Sequence, residues 1–174
     1  MPVGDQSLAV GVGWQADSRL ASITLTSGAT NWQVGYGYDA AGNLTSVTRQ
    51  GGPSSSYAYD RAGSLTRVAH TSGSTTLVAQ DVTRTATGAP GSVTTTRGTT
   101  TTRALYSYGA TDQVTGVCRP ASGTTCIATD PKTTYEYGLN GNRTSKATAN
   151  TGGTGTTTYT YDADDSPTGR PAGR

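Results

Sequence analysis

The chain has 174 residues, a net charge of +2 and 14% charged residues, a near-balance that excludes a polyanion binder driven by bulk charge. Ile, Leu, Val and Phe together fill 21 positions, whereas Thr fills 35, Ser 16 and Gly 24. The apolar supply falls short of an ordinary packed interior, and the low net charge argues against a disordered chain.

Helix formers are scarce, with two Lys and one Glu (Glu136), while Thr, Val and Tyr favour the pleated strand. No apolar run is long enough for a membrane-spanning helix. Met1 to Trp14 has neither a basic start nor a long apolar stretch, so no signal peptide is visible.

In chain order, one pattern dominates. All ten tyrosines fall in Tyr-x-Tyr pairs, at Tyr36/Tyr38, Tyr57/Tyr59, Tyr106/Tyr108, Tyr135/Tyr137 and Tyr159/Tyr161. The segments YGYDAAGNLTSV (36–47), YAYDRAGSLTRV (57–68), YSYGATDQVTGV (106–117), YEYGLNGNRTSK (135–146) and YTYDADDSPTGR (159–170) lie over one another. The same frame recovers VGWQADSRLASI (12–23), with Trp14 in the second aromatic place, and more weakly VTRTATGAPGSV (82–93). A period of 21 to 29 residues is the mark of a repeat architecture.

Each unit reads as a hairpin. Tyr36 and Tyr38 share one face of a strand. Asp39 to Gly42 suits a type I turn, with Asp capping it and Gly42 accepting positive φ. A three-residue loop at 40–42 pairs Asp39 with Asn43 and Tyr38 with Leu44, and places Tyr36 on the face of Ser46. Val47 then falls on the face opposite Leu44 unless a bulge intervenes. Gly63 with Leu65 and Asp60, and Gly141, occupy the corresponding places in later units.

Between hairpins lie polar stretches with turn signals at Ser27-Gly28, Gly51-Gly52-Pro53, Ser72-Gly73, Arg97-Gly98 and Gly152-Gly153. The fold class is therefore all-β: a curved antiparallel sheet of consecutive hairpins, each stabilised by its neighbours. The strip is expected over residues 1–165, in units 12–35, 36–56, 57–81, 82–105, 106–134, 135–158 and 159–165, with a flexible Pro/Gly/Arg tail at 166–174.

The pattern Tyr-x-Tyr-Asp-x-x-Gly-Asn/Arg-Leu-Thr-x-Val resembles the YD repeat of the Rhs family, over about residues 12–165. GNRTS at 141–145 is also family-like. The resemblance implies a β-sheet strip that spirals into a hollow shell around a toxin or other cargo. It implies a non-catalytic structural role, secretion or surface location, and flanking YD repeats or sheet-edge self-association as partners. A carbohydrate- or surface-binding adhesion module is the alternative. Asp130-Pro131-Lys132 lacks the Gly-Leu continuation of the family's core-terminating motif, so no self-cleavage site is assigned. No toxin domain is expected after residue 174.

The candidate sites are few. Cys118 and Cys126 flank Ser122-Gly123 and would face each other across a short hairpin, an arrangement a disulfide can bridge in an oxidising compartment. The alternatives are free thiols and a two-thiol metal site, the latter without a third Cys or a His nearby. Periodic tyrosines argue for structure, although an exposed ring such as Tyr36 or Trp32 could stack on a sugar. Asp39, Asp60 and Asp162 read as turn caps, since Asp162, Asp164 and Asp165 lack the spacing and closing Glu of a calcium loop. His70 is expected as a solvated loop residue. The sequons at Asn43 and Asn142 arise from the repeat itself, and the scattered Arg19, Arg49, Arg61 and Arg67 build no nucleic-acid surface. No cofactor and no catalytic residue is assigned.

Overall fold

A computed structural model describes residues 8–168. Its elements are strands: β1 (Leu8–Trp14), β2 (Leu20–Ser27), β3 (Thr30–Tyr38), β4 (Leu44–Arg49), β5 (Ser54–Tyr59), β6 (Leu65–Ser72), β7 (Thr75–Arg84), β8 (Pro90–Arg97), β9 (Thr100–Tyr108), β10 (Val114–Cys118), β11 (Lys132–Tyr137), β12 (Arg143–Asn150) and β13 (Gly153–Thr158). They follow one another in the sheet in sequence order, as a chain of tight hairpins requires. Two units are distinguished: residues up to Asp81 with Thr95–Thr100, and Val82–Thr94 with the residues from Thr101 onward.

In the first unit β1 to β7 pair antiparallel, each with the next. Tyr38 pairs with Leu44, but Gly37 pairs with Ser46, so Thr45 is an extra residue in the ladder. The bulge corrects the register read from the sequence: Tyr36 opposes Val47, not Ser46. Leu44 and Val47, three apart, thereby return to the face that carries Tyr36 and Tyr38. A regular strand would have turned one of them outward. Ala21 and Thr66 bulge in the same place, bringing Val12 opposite Ile23 and Tyr57 opposite Val68.

The second unit repeats the device. Thr115 and Thr144 are the extra residues, so Tyr106 opposes Val117 and Tyr135 opposes Lys146. In the hairpins that carry a Tyr-x-Tyr pair and its return strand, the bulge re-aims the second strand where the aromatic pair must be covered.

The scarcity of apolar residues shows in the packing. Among the described residues the buried apolar side chains are Val47, Ala69 and Ala79, and no large side chain is fully buried. Cross-strand pairs such as Tyr38–Leu44 and Tyr57–Val68, each contributing about 0.2–1 kcal/mol, take the place of a closed core.

Turn geometry recurs in step with the repeat. φ is positive at Ser18 (65°), Gly42 (90°), Gly63 (78°), Gly88 (88°), Asp112 (56°), Gly141 (82°) and Asp165 (59°), the seventh residue of every register. The second turns use left-handed glycines as well, at Gly28, Gly51, Gly73, Gly98 and Gly153. At the far end Tyr161 bridges Pro167, and the Thr168 amide donates to the Thr160 carbonyl at 2.9 Å. Residues 166–168 of the expected tail are therefore tied to the last hairpin, and 169–174 lie outside the described residues.

Candidate functional site

The side chains that the repeat singles out act on the neighbouring unit. In four of the five pairs the second tyrosine donates its hydroxyl to the backbone carbonyl that opens the return strand of the hairpin before it. Tyr59 reaches Leu44 O at 2.9 Å, Tyr108 reaches Pro90 O at 2.8 Å, Tyr137 reaches Val114 O at 2.7 Å and Tyr161 reaches Arg143 O at 3.0 Å. Each acceptor is the ninth residue of its register. A tyrosine hydroxyl thus clips one hairpin to the next while its ring covers the shared face.

Arginines reinforce two of these places. Arg143, where the first three units have Leu20, Leu44 and Leu65, lies over the rings of Tyr135 and Tyr159, with 5.6 and 4.4 Å from guanidinium carbon to ring centroid. Arg19 lies 4.9 Å over Tyr38, pairs with Asp17 and donates to the Asp39 carbonyl. Such stacking is favourable because the cation meets the negative face of the ring.

The turn aspartates are held by their own loops. Asp39 accepts the Asn43 amide at 2.9 Å and its side-chain NH₂ at 3.0 Å, and these bonds hold the carboxyl below the usual aspartate range. Asp60 accepts the Ala62 and Ser64 amides, and Asp162 those of Asp164 and Ser166. At the corresponding place in later units Gly109 and Gly138 stand instead, where a Cβ would meet the methyl of Thr115 or Thr144 at 3.3 or 3.5 Å.

Cys118 and Cys126 form a disulfide, with Cα atoms 6.4 Å apart. The hairpin expected around Gly123 is not formed: the ladder partner of Cys118 is Lys132, and the thirteen-residue segment between them is an irregular loop. Asp130 organises that loop. Its carboxylate, 5% exposed, accepts the Ile127 amide at 2.9 Å and the Ala121 amide at 3.0 Å, which lowers its pKa. The Arg119 amide closes the base on Pro131 O at 2.8 Å. Two N–H groups captured by one carboxylate outweigh the local preference for a Ser-Gly turn.

His70 is not in a loop. It lies in β6 directly opposite Ser55, whose hydroxyl is 2.9 Å from His70 Nδ1, and Arg49 donates to the same hydroxyl at 3.3 Å. Ser55 is 3% exposed, and with Arg49 and His70 it forms a polar link across three strands. The sequence reading missed it because the partner is set by the pairing of β5 with β6, not by any spacing between Ser55 and His70.

Other candidates stay apart. Trp32 is half exposed on β3, in line with Leu25 and Val10 across β2 and β1. On β1, Leu8, Val10, Val12 and Trp14 form one exposed apolar row, and among the described residues this strand pairs with β2 alone. Asp165 accepts from Asn142 at 2.6 Å and from Asn140 at 3.4 Å, so its carboxylate is used in joining two turns.

Comparison with known proteins agrees with this geometry. The family described as RHS Repeat matches residues 14–53 and 38–75. No curated protein matches the chain. Among solved structures, the crystal structure of TcdB2-TccC3-TEV superposes with TM-score 0.67 at 16% identity, over 88% of this chain and 9% of that one. TcdB2-TccC3-Cdc42 gives 0.68 at 15% identity, over 91% and 9%. The Photorhabdus luminescens Tc holotoxin pore, with a mutation in TccC3, gives 0.67 at 18% identity, over 94% and 9%. The chain therefore spans about a tenth of the length of these structures, and at such identities the likeness is one of fold. With the RHS Repeat match confined to residues 14–75 and one turn geometry recurring from Ser18 to Asp165, the chain is an all-β strip of repeated hairpins that carries RHS repeats over residues 14–75.

Proposed function

We propose that the strip serves as a wall segment of an Rhs-type shell that encloses or displays a toxin or other cargo, outside the cell or on its surface, without chemistry of its own. The observation that carries this reading is the recurrence of the same turn and the same tyrosine clip from one register to the next. A catalytic or ligand site sets one place apart, whereas these residues are spent alike in many units on joining hairpins. Flanking YD repeats are the natural partners, because β1, which among the described residues pairs with β2 alone, carries an exposed apolar row at the edge of the sheet.

The test is protease protection in the complete reading frame that contains this chain. Cargo enclosed by the strip resists cleavage until the repeats unfold, and Gly42→Val or Gly141→Val lowers the temperature at which protection is lost. Cleavage of the remaining polypeptide at one rate, whether the repeats are folded or not, contradicts enclosure. The adhesion reading requires glycan binding that one ring substitution abolishes while its counterparts in other registers leave it intact.

A further inference from the structure

The loop between β10 and β11 brings together more than a disulfide. Cys118 Sγ, Cys126 Sγ and a carboxylate oxygen of Asp130 all lie within 4.8 Å of one another. We propose that, when the disulfide is reduced, this loop is a binding site for a thiophilic divalent cation such as Zn²⁺, with Cys118, Cys126 and Asp130 as its protein ligands.

Three features support the assignment. First, the donor set suits the ion: two thiolates and a carboxylate give three protein ligands, and the fourth tetrahedral position is left to water. Around a tetrahedral zinc with Zn–S of about 2.3 Å, neighbouring donors sit about 3.8 Å apart. That spacing is within reach once the sulfurs part.

Second, the third ligand is fixed independently of the sulfur bond. Asp130 is buried and its two oxygens each accept one backbone amide, from Ala121 and Ile127. Each oxygen keeps a further lone pair for a metal, and amides that orient a ligating carboxylate are the usual outer support of such sites. The Arg119–Pro131 bond and the Asp130 amide, which donates to Ile127 O, likewise do not involve the sulfurs. The loop therefore holds the ligands near one another with the thiols free.

Third, the surroundings suit the charge and the route of entry. Cys126 is exposed, so reductant and metal can reach it, and Lys132 lines the same groove as both sulfurs. Two thiolates and a carboxylate around a dication leave one net negative charge, which the Lys132 ammonium offsets.

The chemistry balances with a phosphine as reductant. The phosphine takes the oxygen of one water and is oxidised to its oxide, while the disulfide gains two electrons and the two protons of that water to give two thiols. Binding of the dication then releases the two thiol protons. A phosphine is preferred to a dithiol because it does not compete as a thiolate ligand.

The experiment titrates Co²⁺, then Zn²⁺, into the full chain after anaerobic phosphine reduction. One equivalent of Co²⁺ is expected to give a sulfur-to-cobalt charge-transfer band, displaced by Zn²⁺, with about two protons released per metal at neutral pH. The oxidised chain gives no band. Cys126→Ser, which leaves the Asp130 bonds in place, abolishes the band, and Asp130→Asn weakens binding at least about tenfold. X-ray absorption on the zinc-loaded chain reads the ligands directly: two sulfurs with nitrogen or oxygen neighbours support the site. A reduced chain without the band, zinc bound by no sulfur or by four, or undiminished affinity in Asp130→Asn overturns it.

Discussion

Replacing Tyr59 by Phe keeps the ring opposite Leu65 and removes one atom, the hydroxyl that donates to Leu44 O at 2.9 Å. That bond is part-buried, so the carbonyl left behind is only partly recovered by water. A net hydrogen bond of this kind contributes about 0.5–1.5 kcal/mol. For a chain of this length a loss of about 1 kcal/mol lowers Tm by about 2–4 °C. Tyr137→Phe, which removes another part-buried bond, should cost a similar amount. Tyr108→Phe should cost less, because its bond to Pro90 O is exposed. Tyr57→Phe is the control, since among the described residues its hydroxyl has no protein hydrogen-bond partner. Thermal and urea unfolding by circular dichroism give the ranking, and Tyr59→Phe combined with Tyr137→Phe should be nearly additive because the bonds share no partner. If Tyr59→Phe and Tyr57→Phe melt together, the hydroxyl does not clip the hairpins and the reasoning is refuted.

Three other outcomes follow from the turns and the loop. Gly42→Val should destabilise the chain by at least about 1–2 kcal/mol, since Gly42 has φ of 90°, while Ala40→Val in the same turn should be near neutral; equal melts would remove the turn assignment. Asp112→Gly should raise stability by up to about 1 kcal/mol by relieving a side chain at φ of 56°, a gain readable in urea. The carboxyls of Asp39 and Asp130 are lowered by the amide groups they accept, so they bind protons less readily folded than unfolded. Their contribution is complete above the unfolded carboxylate value of about 3.9 and is lost as pH falls through the lower folded values. The melting temperature should therefore drop below about pH 4, and the drop should shrink in Asp39→Asn, whose melting temperature at neutral pH is already lower.

Much of this fold is legible in the chain because the repeat states its own register. Laying the units over Asp39–Gly42 places Ser18, Asp112 and Asp165 at the left-handed position although none is glycine, and all three have positive φ. The bulge at Thr45 is harder to read: threonine fits a regular strand equally well, and the only sign is that Leu44 and Val47 stand three apart instead of two. The pairing of Ser55 with His70 depends on the bulge at Thr66, since a regular hairpin from Tyr59–Leu65 would set Ser55 opposite Ala69. In the loop after Cys118, the Ser-Gly turn signal is overridden by Asp130, whose effect comes from residues 121 and 127 being brought to it in space. Sequence pattern carries what is periodic, and tertiary hydrogen bonds decide what departs from the period.

Stability measured against the number of units addresses the account most directly. Peptides covering residues 36–49, then 36–72, can be compared with the whole chain by circular dichroism and amide exchange. The first is a lone hairpin, expected to be largely unfolded, with strand content and exchange protection rising as each neighbour is added. A 36–49 hairpin that melts as cooperatively and at the same temperature as the whole chain would contradict the claim that neighbouring hairpins hold one another in place.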